Sequence, residues 1–411
     1  MKNTPLIALL VALPVVAGVY FITSADSDEP QIIIGKEPLA DLAVEKIASI
    51  QVTALDSTDN NKLSVLKLTR GDKGWEVGNG RDYQADTDRV ERFVREFTEM
   101  KVLREVTASA KQLERIQLAE PSAGKTNSAT RISLLAADGK PVRTILLGKS
   151  IAAPSDGQEN QSVFGGGSFP DRRFVMIDGE RSSIAVVDQT FSNAETDPAQ
   201  WLNKDFFKIE KPNAITVKFP GTNATNSWSI IERDDNGTVK WMFTDTDANS
   251  TEKLDANKAP TTPFSSPSFD DIATTVPPGA LDANATRATI SNSDGFTYTL
   301  AISPKTPEDK YIIKLDVKGN FPAQRLAGKD ETPEDKKRLD AEWKTAQDAL
   351  KATLAGQQKF TAKAYIVPAY TVDPILKKRS ELLPDSDAPS TPPGPLPPLN
   401  NFPLNPPKPQ N

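Results

Sequence analysis

Neither histidine nor cysteine occurs among the 411 residues. The first absence removes Ser-His-Asp and Cys-His catalysis and every imidazole metal ligand. The second removes thiolate chemistry, cysteine-held zinc and disulfide staples. Carboxylate, lysine or serine chemistry stays open in principle, yet no acidic pair falls in a recognisable catalytic setting, so a carboxylate hydrolase is the weakest of the functional readings. No cofactor or metal is expected. Excess charge is lacking as well: the net −6 is spread along the chain without a basic stripe. A chain of this kind has nothing with which to release counterions from a phosphate backbone, and nucleic-acid binding is not expected.

What is present is ordinary for a folded protein, with 37% hydrophobic and 25% charged residues. The length suits two or three domains, since one core usually serves roughly 100 to 200 residues. The 33 prolines fall mostly outside the periodic segments and predict extensive loops and tails.

Pro5 to Ile22 is a run of 18 residues without a charged side chain, preceded by Lys2 and followed by Asp26, Asp28 and Glu29. As a helix it would reach roughly 27 Å, close to the thickness of a bilayer's hydrocarbon core. Leu6, Ile7, Leu9, Leu10, Val11, Leu13, Val15, Val16, Val19, Tyr20, Phe21 and Ile22 are its candidate membrane-anchoring residues. The positive flank stays inside, so everything after residue 25 is expected outside the cytoplasm. A cleavable signal peptide cut near Thr23-Ser24-Ala25, and a buried core helix, are the two other readings of the same run. No cysteine is available for lipidation.

Beyond a polar linker, Ile47 to Leu55 and Leu63 to Leu68 read as strands, with turn residues from Thr69 to Gly74 before Trp75-Glu76-Val77. A helix capped by Asp86 or Asp88 follows, with Val90, Phe93, Val94 and Phe97 on one apolar face. Further strands are expected at Arg131 to Leu135, Val142 to Leu147, Arg173 to Ile177 and Ile184 to Val187, the first two joined at Asp138-Gly139.

The order then begins again. Ala129-Thr130-Arg131 precedes Asp138-Gly139 as Ala285-Thr286-Arg287 precedes Asp294-Gly295, 156 residues later, and Ile47 to Trp75 is echoed by Ala214 to Trp241. In the second copy the helix corresponds to the proline-interrupted stretch Leu254 to Pro278, where it must be short or broken. Thr332-Pro333-Glu334-Asp335 starts a helix with Leu339, Trp343, Ala346, Leu350 and Leu354 along one face. Phe360 to Val367 reads as a strand and Pro374 to Leu383 as a short helix. From Pro384 on, 11 of 28 residues are proline, the composition of a disordered or polyproline II tail.

Several short motifs carry a functional and a plain reading. Gly148-Lys149-Ser150 and Gly124-Lys125-Thr126 mimic the end of a phosphate-binding loop, but the first glycine of that pattern is replaced by Arg143 and Ala119. Asp245, Asp247 and Asn249 fit the start of a calcium loop, without its turn glycine or closing glutamate. Arg70-Gly71-Asp72 is explained by turn chemistry, Gly165-Gly166-Gly167 with Phe169, Arg172 and Arg173 by a strand connection, and Trp201, Phe206 and Phe207 by packing at a domain junction.

From about Leu39 to Val217 the chain resembles the bacterial family catalogued as domain of unknown function 4340. The features that carry the resemblance are the apolar N-terminal run, Gly74-Trp75-Glu76-Val77, Tyr83 to Val102 as a helix, Leu146-Leu147-Gly148-Lys149, Arg173-Phe174-Val175 and Asp197-Pro198-Ala199-Gln200-Trp201-Leu202-Asn203-Lys204. The resemblance implies a membrane-tethered envelope protein, in the setting of auxiliary components of gliding-type ABC export systems.

The expected fold is α+β: a duplicated antiparallel-sheet-plus-helix module with an N-terminal transmembrane helix and a disordered proline-rich tail. Its expected divisions are an anchor or signal segment at 1–25, a linker at 26–44, repeats at 45–200 and 201–325, a helix-strand-helix extension at 326–383 and the tail at 384–411. The expected function is that of a non-enzymatic auxiliary or scaffold subunit anchored in the inner membrane, with its bulk in the periplasm and ABC transporter-like envelope proteins as partners. The alternative is a structural spacer that binds cell wall or outer-layer partners through its tail.

Overall fold

A computed structural model describes residues 33–152, 170–235, 237–246, 253–328 and 331–385. The chain is mixed α+β, with two antiparallel sheets, few helices and two compact units. The anchoring run Leu6 to Ile22 and most of the proline-rich tail lie outside the described residues. Among those described, no helix is long and apolar enough to cross a membrane.

The first unit comprises residues up to Trp75 and Thr87–Asp197. Its strands are β1 (Ser49–Leu55), β2 (Leu63–Gly71) and β3 (Gly74–Val77), which begins in this unit. After the short β4 (Tyr83–Gln84) come α1 (Thr87–Glu99), β5 (Val102–Glu105), α2 (Ala110–Arg115), β6 (Thr130–Leu135), β7 (Pro141–Ile151), β8 (Arg172–Ile177) and β9 (Ile184–Val187). The strands lie side by side as β4-β3-β2-β1-β6-β7-β8-β9-β5. Val90, Phe93, Val94 and Phe97 of α1 are all buried, as their spacing requires, and Phe97 stacks on Phe191 with centroids 4.7 Å apart.

Ile145, Leu146 and Leu147 of β7 are buried in succession, and β9 is buried throughout. Successive strand residues point to opposite faces, so both faces of this part of the sheet are covered. Leu146, Phe174, Met176 and Val186 form a separate cluster, with Leu113 and Ile116 of the α2 region packed against it.

The second unit comprises 76–86 and the chain from Pro198 onward. It contains β10 (Pro212–Lys218), β11 (Trp228–Asp235), β12 (Thr238–Phe243), β13 (Asp271–Ile272), β14 (Thr286–Asn292), β15 (Phe296–Ile302) and β16 (Lys310–Gly319). The long helix α3 (Pro333–Gln358), β17 (Ala364–Pro368) and the single turn α4 (Ala369–Val372) complete it. The strand order is β12-β11-β10-β14-β15-β16-β17-β13, which matches that of the first sheet from β3 to β5, with no counterpart of the edge strand β4. The turns at Gly139 and Gly295 both need a left-handed backbone, with φ +81° and +88°, a conformation glycine adopts without steric penalty.

Four local expectations need correction. Tyr83 to Val102 is not one helix, because Tyr83 and Gln84 pair with Val77 and Glu76 and helix begins only at Thr87. On α3 the buried residue is Gln347, while Ala346 is exposed and Leu339, Trp343, Leu350 and Leu354 are half-buried. Phe360 continues the end of α3 as a 3-10 turn, so that strand starts at Ala364. Pro374 to Leu383 holds two 3-10 turns, Asp373–Ile375 and Arg379–Leu382, in place of a helix. Between them Lys378 is extended, and the Trp228 indole N–H takes the carbonyl of Lys377 at 2.7 Å. In Leu254 to Pro278 the described residues form turns and β13 only, as the prolines require.

Candidate binding groove

The hairpin from Glu76 to Gln84 is held in the second unit by residues that flank it in space only. Ala85 bridges Leu202, Asp86 N–H donates to Trp201 O at 2.8 Å, and Asn203 N–H donates to Gln84 O at 2.9 Å. The guanidinium of Arg81 grips the carboxylate of Asp271 with two hydrogen bonds. Lys204 donates to Asp270 O at 2.5 Å and lies 4.8 Å from the Phe269 ring centroid. The stretch Asp197 to Lys204, singled out in the sequence, is thereby committed to structure: Trp201 is fully buried.

An aromatic cluster sits beside these contacts. Phe206 meets Phe207, Phe269 and Tyr365 at centroid distances of 4.6, 4.9 and 4.7 Å, and Tyr83 stands edge-on to Phe269 and Tyr365. Burial, with the Tyr83 hydroxyl nearby, holds the Tyr365 phenol far above its ordinary range. A phenol so placed stays neutral and serves packing.

Next along both chain segments lies a groove of about 190 Å³. One wall is Thr262 to Pro267 and the other is Tyr370 to Ile375. Phe264 is buried with φ +54°, an uncommon conformation for a bulky residue. It is maintained by Ile209 N–H donating to Phe264 O at 3.0 Å and by the Phe207 ring 5.6 Å away. Backbone held in this way gathers at functional sites, where the surroundings over-determine it.

The opposite wall is equally fixed. The Tyr311 hydroxyl donates to Asp373 at 2.7 Å, and burial together with that carboxylate pushes the Tyr311 phenol well up. Tyr370 is 70% exposed, yet its hydroxyl is tied to the Ser268 hydroxyl at 2.7 Å, so an apolar ring face is displayed in a set position. No lining residue is charged. The groove lining mixes the hydroxyl-bearing Thr262, Ser265, Ser266 and Thr371 with Phe264, Tyr370 and three prolines.

The motifs weighed in the sequence come out as structure. Gly148 lies inside β7, where a Cβ would stand 2.5 Å from Ile116 O, and Lys149 N–H donates to that same carbonyl at 2.8 Å. Arg173 donates to Gly148 O at 2.8 Å and to Thr190 O at 2.9 Å, and burial lowers its pKa to about 10, which leaves it charged at neutral pH. Gly124 N–H donates to Asn60 O, so neither glycine presents a phosphate nest. Asp245 pairs with Arg379 through both carboxylate oxygens at 3.0 Å. Asp247, Asn249, Gly165 to Gly167 and Phe169 lie outside the described residues. The Arg70 guanidinium stacks 4.9 Å from the Trp75 ring at the turn into β3. Among the described residues no group of three or more acidic side chains could hold a metal ion.

Sequence reasoning missed the groove. The only available signal was the run of prolines at 260, 263 and 267 opposite Pro374, and nothing local says that the two segments meet.

The fold therefore defines a two-unit α+β protein with antiparallel sheets of matching order, and its family match extends across both units. Residues 75–301, more than half of the chain, match the family described as Domain of unknown function (DUF4340). The chain belongs to that family. The matched region starts later and ends further along than the resemblance from Leu39 to Val217 suggested. No curated protein and no solved structure matches the chain.

Proposed function

We propose that the protein is a non-catalytic binding subunit, built from a duplicated module and held at the inner membrane by Leu6 to Ile22 with its bulk in the periplasm. The observation that carries this reading is the shared strand order of the two sheets, joined to the equivalent turns at Gly139 and Gly295. Duplication multiplies presented surface, and residues 201–203 bond the backbone of residues 84–86 and so help to hold that hairpin in place. An auxiliary role beside an ABC-type export system is the setting that the family resemblance suggests for such a subunit.

Crosslinking and affinity capture of the tagged, full-length chain from membranes tests the role. Recovery of a transporter or other envelope component is expected, and repeated recovery of none rejects it. Fractionation with N-terminal sequencing tests the anchor: the intact chain should sit in the inner membrane beginning at its first residues, whereas a chain beginning near Asp26 would mean cleavage.

The second reading, a spacer reaching the wall through the proline-rich tail, is favoured by the composition after Pro384. Deleting residues 384–411 separates the two, abolishing localisation or binding under the spacer reading and sparing the capture of membrane partners under the first.

A further inference from the structure

We propose that the groove between Thr262 to Pro267 and Tyr370 to Ile375 is the docking site for the chain's own proline-rich segment, residues 391–399. The inference does not depend on whether the N-terminal run anchors the chain.

Three observations converge on this occupant. The first is where the described chain ends. Lys258 donates to Leu383 O at 2.9 Å and pairs with Asp385 at 2.6 Å, Asp255 N–H donates to Leu382 O at 2.9 Å, and Lys377 donates to Lys258 O at 2.9 Å. The two segments that clamp this exit, 255–258 and 377–385, are continuous with the two that wall the groove. Thr262 follows Lys258 by four positions, which keeps their Cα atoms within roughly 14 Å. Pro392 lies seven residues beyond Asp385, and seven residues in polyproline II span roughly 22 Å. That length is more than enough to reach the groove from Asp385.

The second is chemical fit. Residues 391–399 read Thr-Pro-Pro-Gly-Pro-Leu-Pro-Pro-Leu and carry no charge, and neither does the groove lining. Polyproline segments dock in aromatic-lined grooves because their conformation is already extended and their rings stack on aromatic faces. Tyr370, Pro267 and Pro374 supply that surface.

The third is the state of Tyr370. A large ring that is 70% exposed would ordinarily rotate freely, but its hydroxyl is tied to Ser268 and its backbone sits in α4. A ring held out in one position is preorganised for a partner, which lowers the entropy lost on binding.

The test uses the full-length chain with a photoreactive benzoylphenylalanine at the exposed position Ser266. Irradiation followed by peptide mass spectrometry should place the main crosslink within residues 386–411. Tyr370→Ala should lower that yield roughly fivefold or more, the size expected for losing an aromatic contact, while Tyr370→Phe, which keeps the ring and loses only its tie to Ser268, should lower it by less. Because Tyr370 is exposed, both variants should melt with the parent protein. Replacing Pro392, Pro393, Pro395 and Pro397 by Ala should abolish the crosslink without touching the groove. Mixing heavy- and light-isotope chains identifies the partner: crosslinks within one chain support the proposal, and mixed-isotope crosslinks overturn it in favour of a second copy. Crosslinks that avoid the tail, or tail crosslinks indifferent to Tyr370→Ala, also overturn it.

Discussion

Arg81 and Asp271 are 190 residues apart in sequence and joined by two hydrogen bonds, Nε to Oδ1 at 2.7 Å and NH2 to Oδ2 at 2.5 Å. Their side chains are only 15% and 20% exposed. The pair fastens the hairpin 76–86 to the remainder of the second unit, and removing one member strands the other's charge. Arg81→Leu is expected to cost about 3 kcal/mol, read as a lower urea midpoint. The double variant Arg81→Leu/Asp271→Leu should lose much less than the sum of the two single changes. Strict additivity would show that the pair is not coupled.

Gly148 bears on the phosphate-loop mimicry directly. Its missing Cβ would stand 2.5 Å from Ile116 O and 2.9 Å from the Leu118 side chain. Gly148→Ala should destabilise by about 1–3 kcal/mol through overpacking, seen as a lower melting temperature. Lys149→Ala, whose side chain that crowding does not involve, should leave melting nearly unchanged. A Lys149→Ala protein that lost ATP-dependent stabilisation shown by the parent would instead point to nucleotide binding.

At the start of α3, the Thr332 hydroxyl accepts from Asp335 N–H at 3.1 Å and donates to Asp335 Oδ2 at 2.8 Å. Thr332→Ala should cost about 1 kcal/mol. The loss should appear as faster amide exchange in the first turn of α3, with the exchange of β14 and β15 unchanged.

Glu331 accepts from Arg325 through both oxygens and from Gly328 N–H, which draws its pKa down to about 2. A carboxylate depressed on folding contributes stability above its ordinary value near 4.5, and that contribution is lost as pH falls through the folded value. The carboxyl carbon of Glu331 should therefore titrate near 2 by NMR and move back toward 4.5 in Arg325→Gln. A midpoint near 4.5 in the parent protein would mean that the clamp does not persist in solution.

How much of this was legible depends on the range of the contacts. The face Val90, Phe93, Val94 and Phe97 was readable because helical spacing alone brings those residues together, and the Asp-Gly turns because their glycines meet a local steric demand. The echo of Ala129 to Gly139 in Ala285 to Gly295 likewise lay open in the chain. Tyr83 was read as helical because nothing nearby announces that Val77 and Leu202 compete for its neighbourhood. Gln347 took the buried place on α3 through packing that propensity does not see. The groove had no local mark at all.

The amino-acid sequence by itself determined which residue types are missing, the apolar face of α1 and the start of α3, all of which depend on residue identity or on neighbours within a few positions. Only the tertiary structure decided that residues 76–86 join the second unit, that Arg81 finds Asp271, and that Ser268 meets Tyr370 across 102 residues to shape a groove. The reason is physical: such contacts form only after chain entropy has been overcome by burial elsewhere, so no local pattern encodes them.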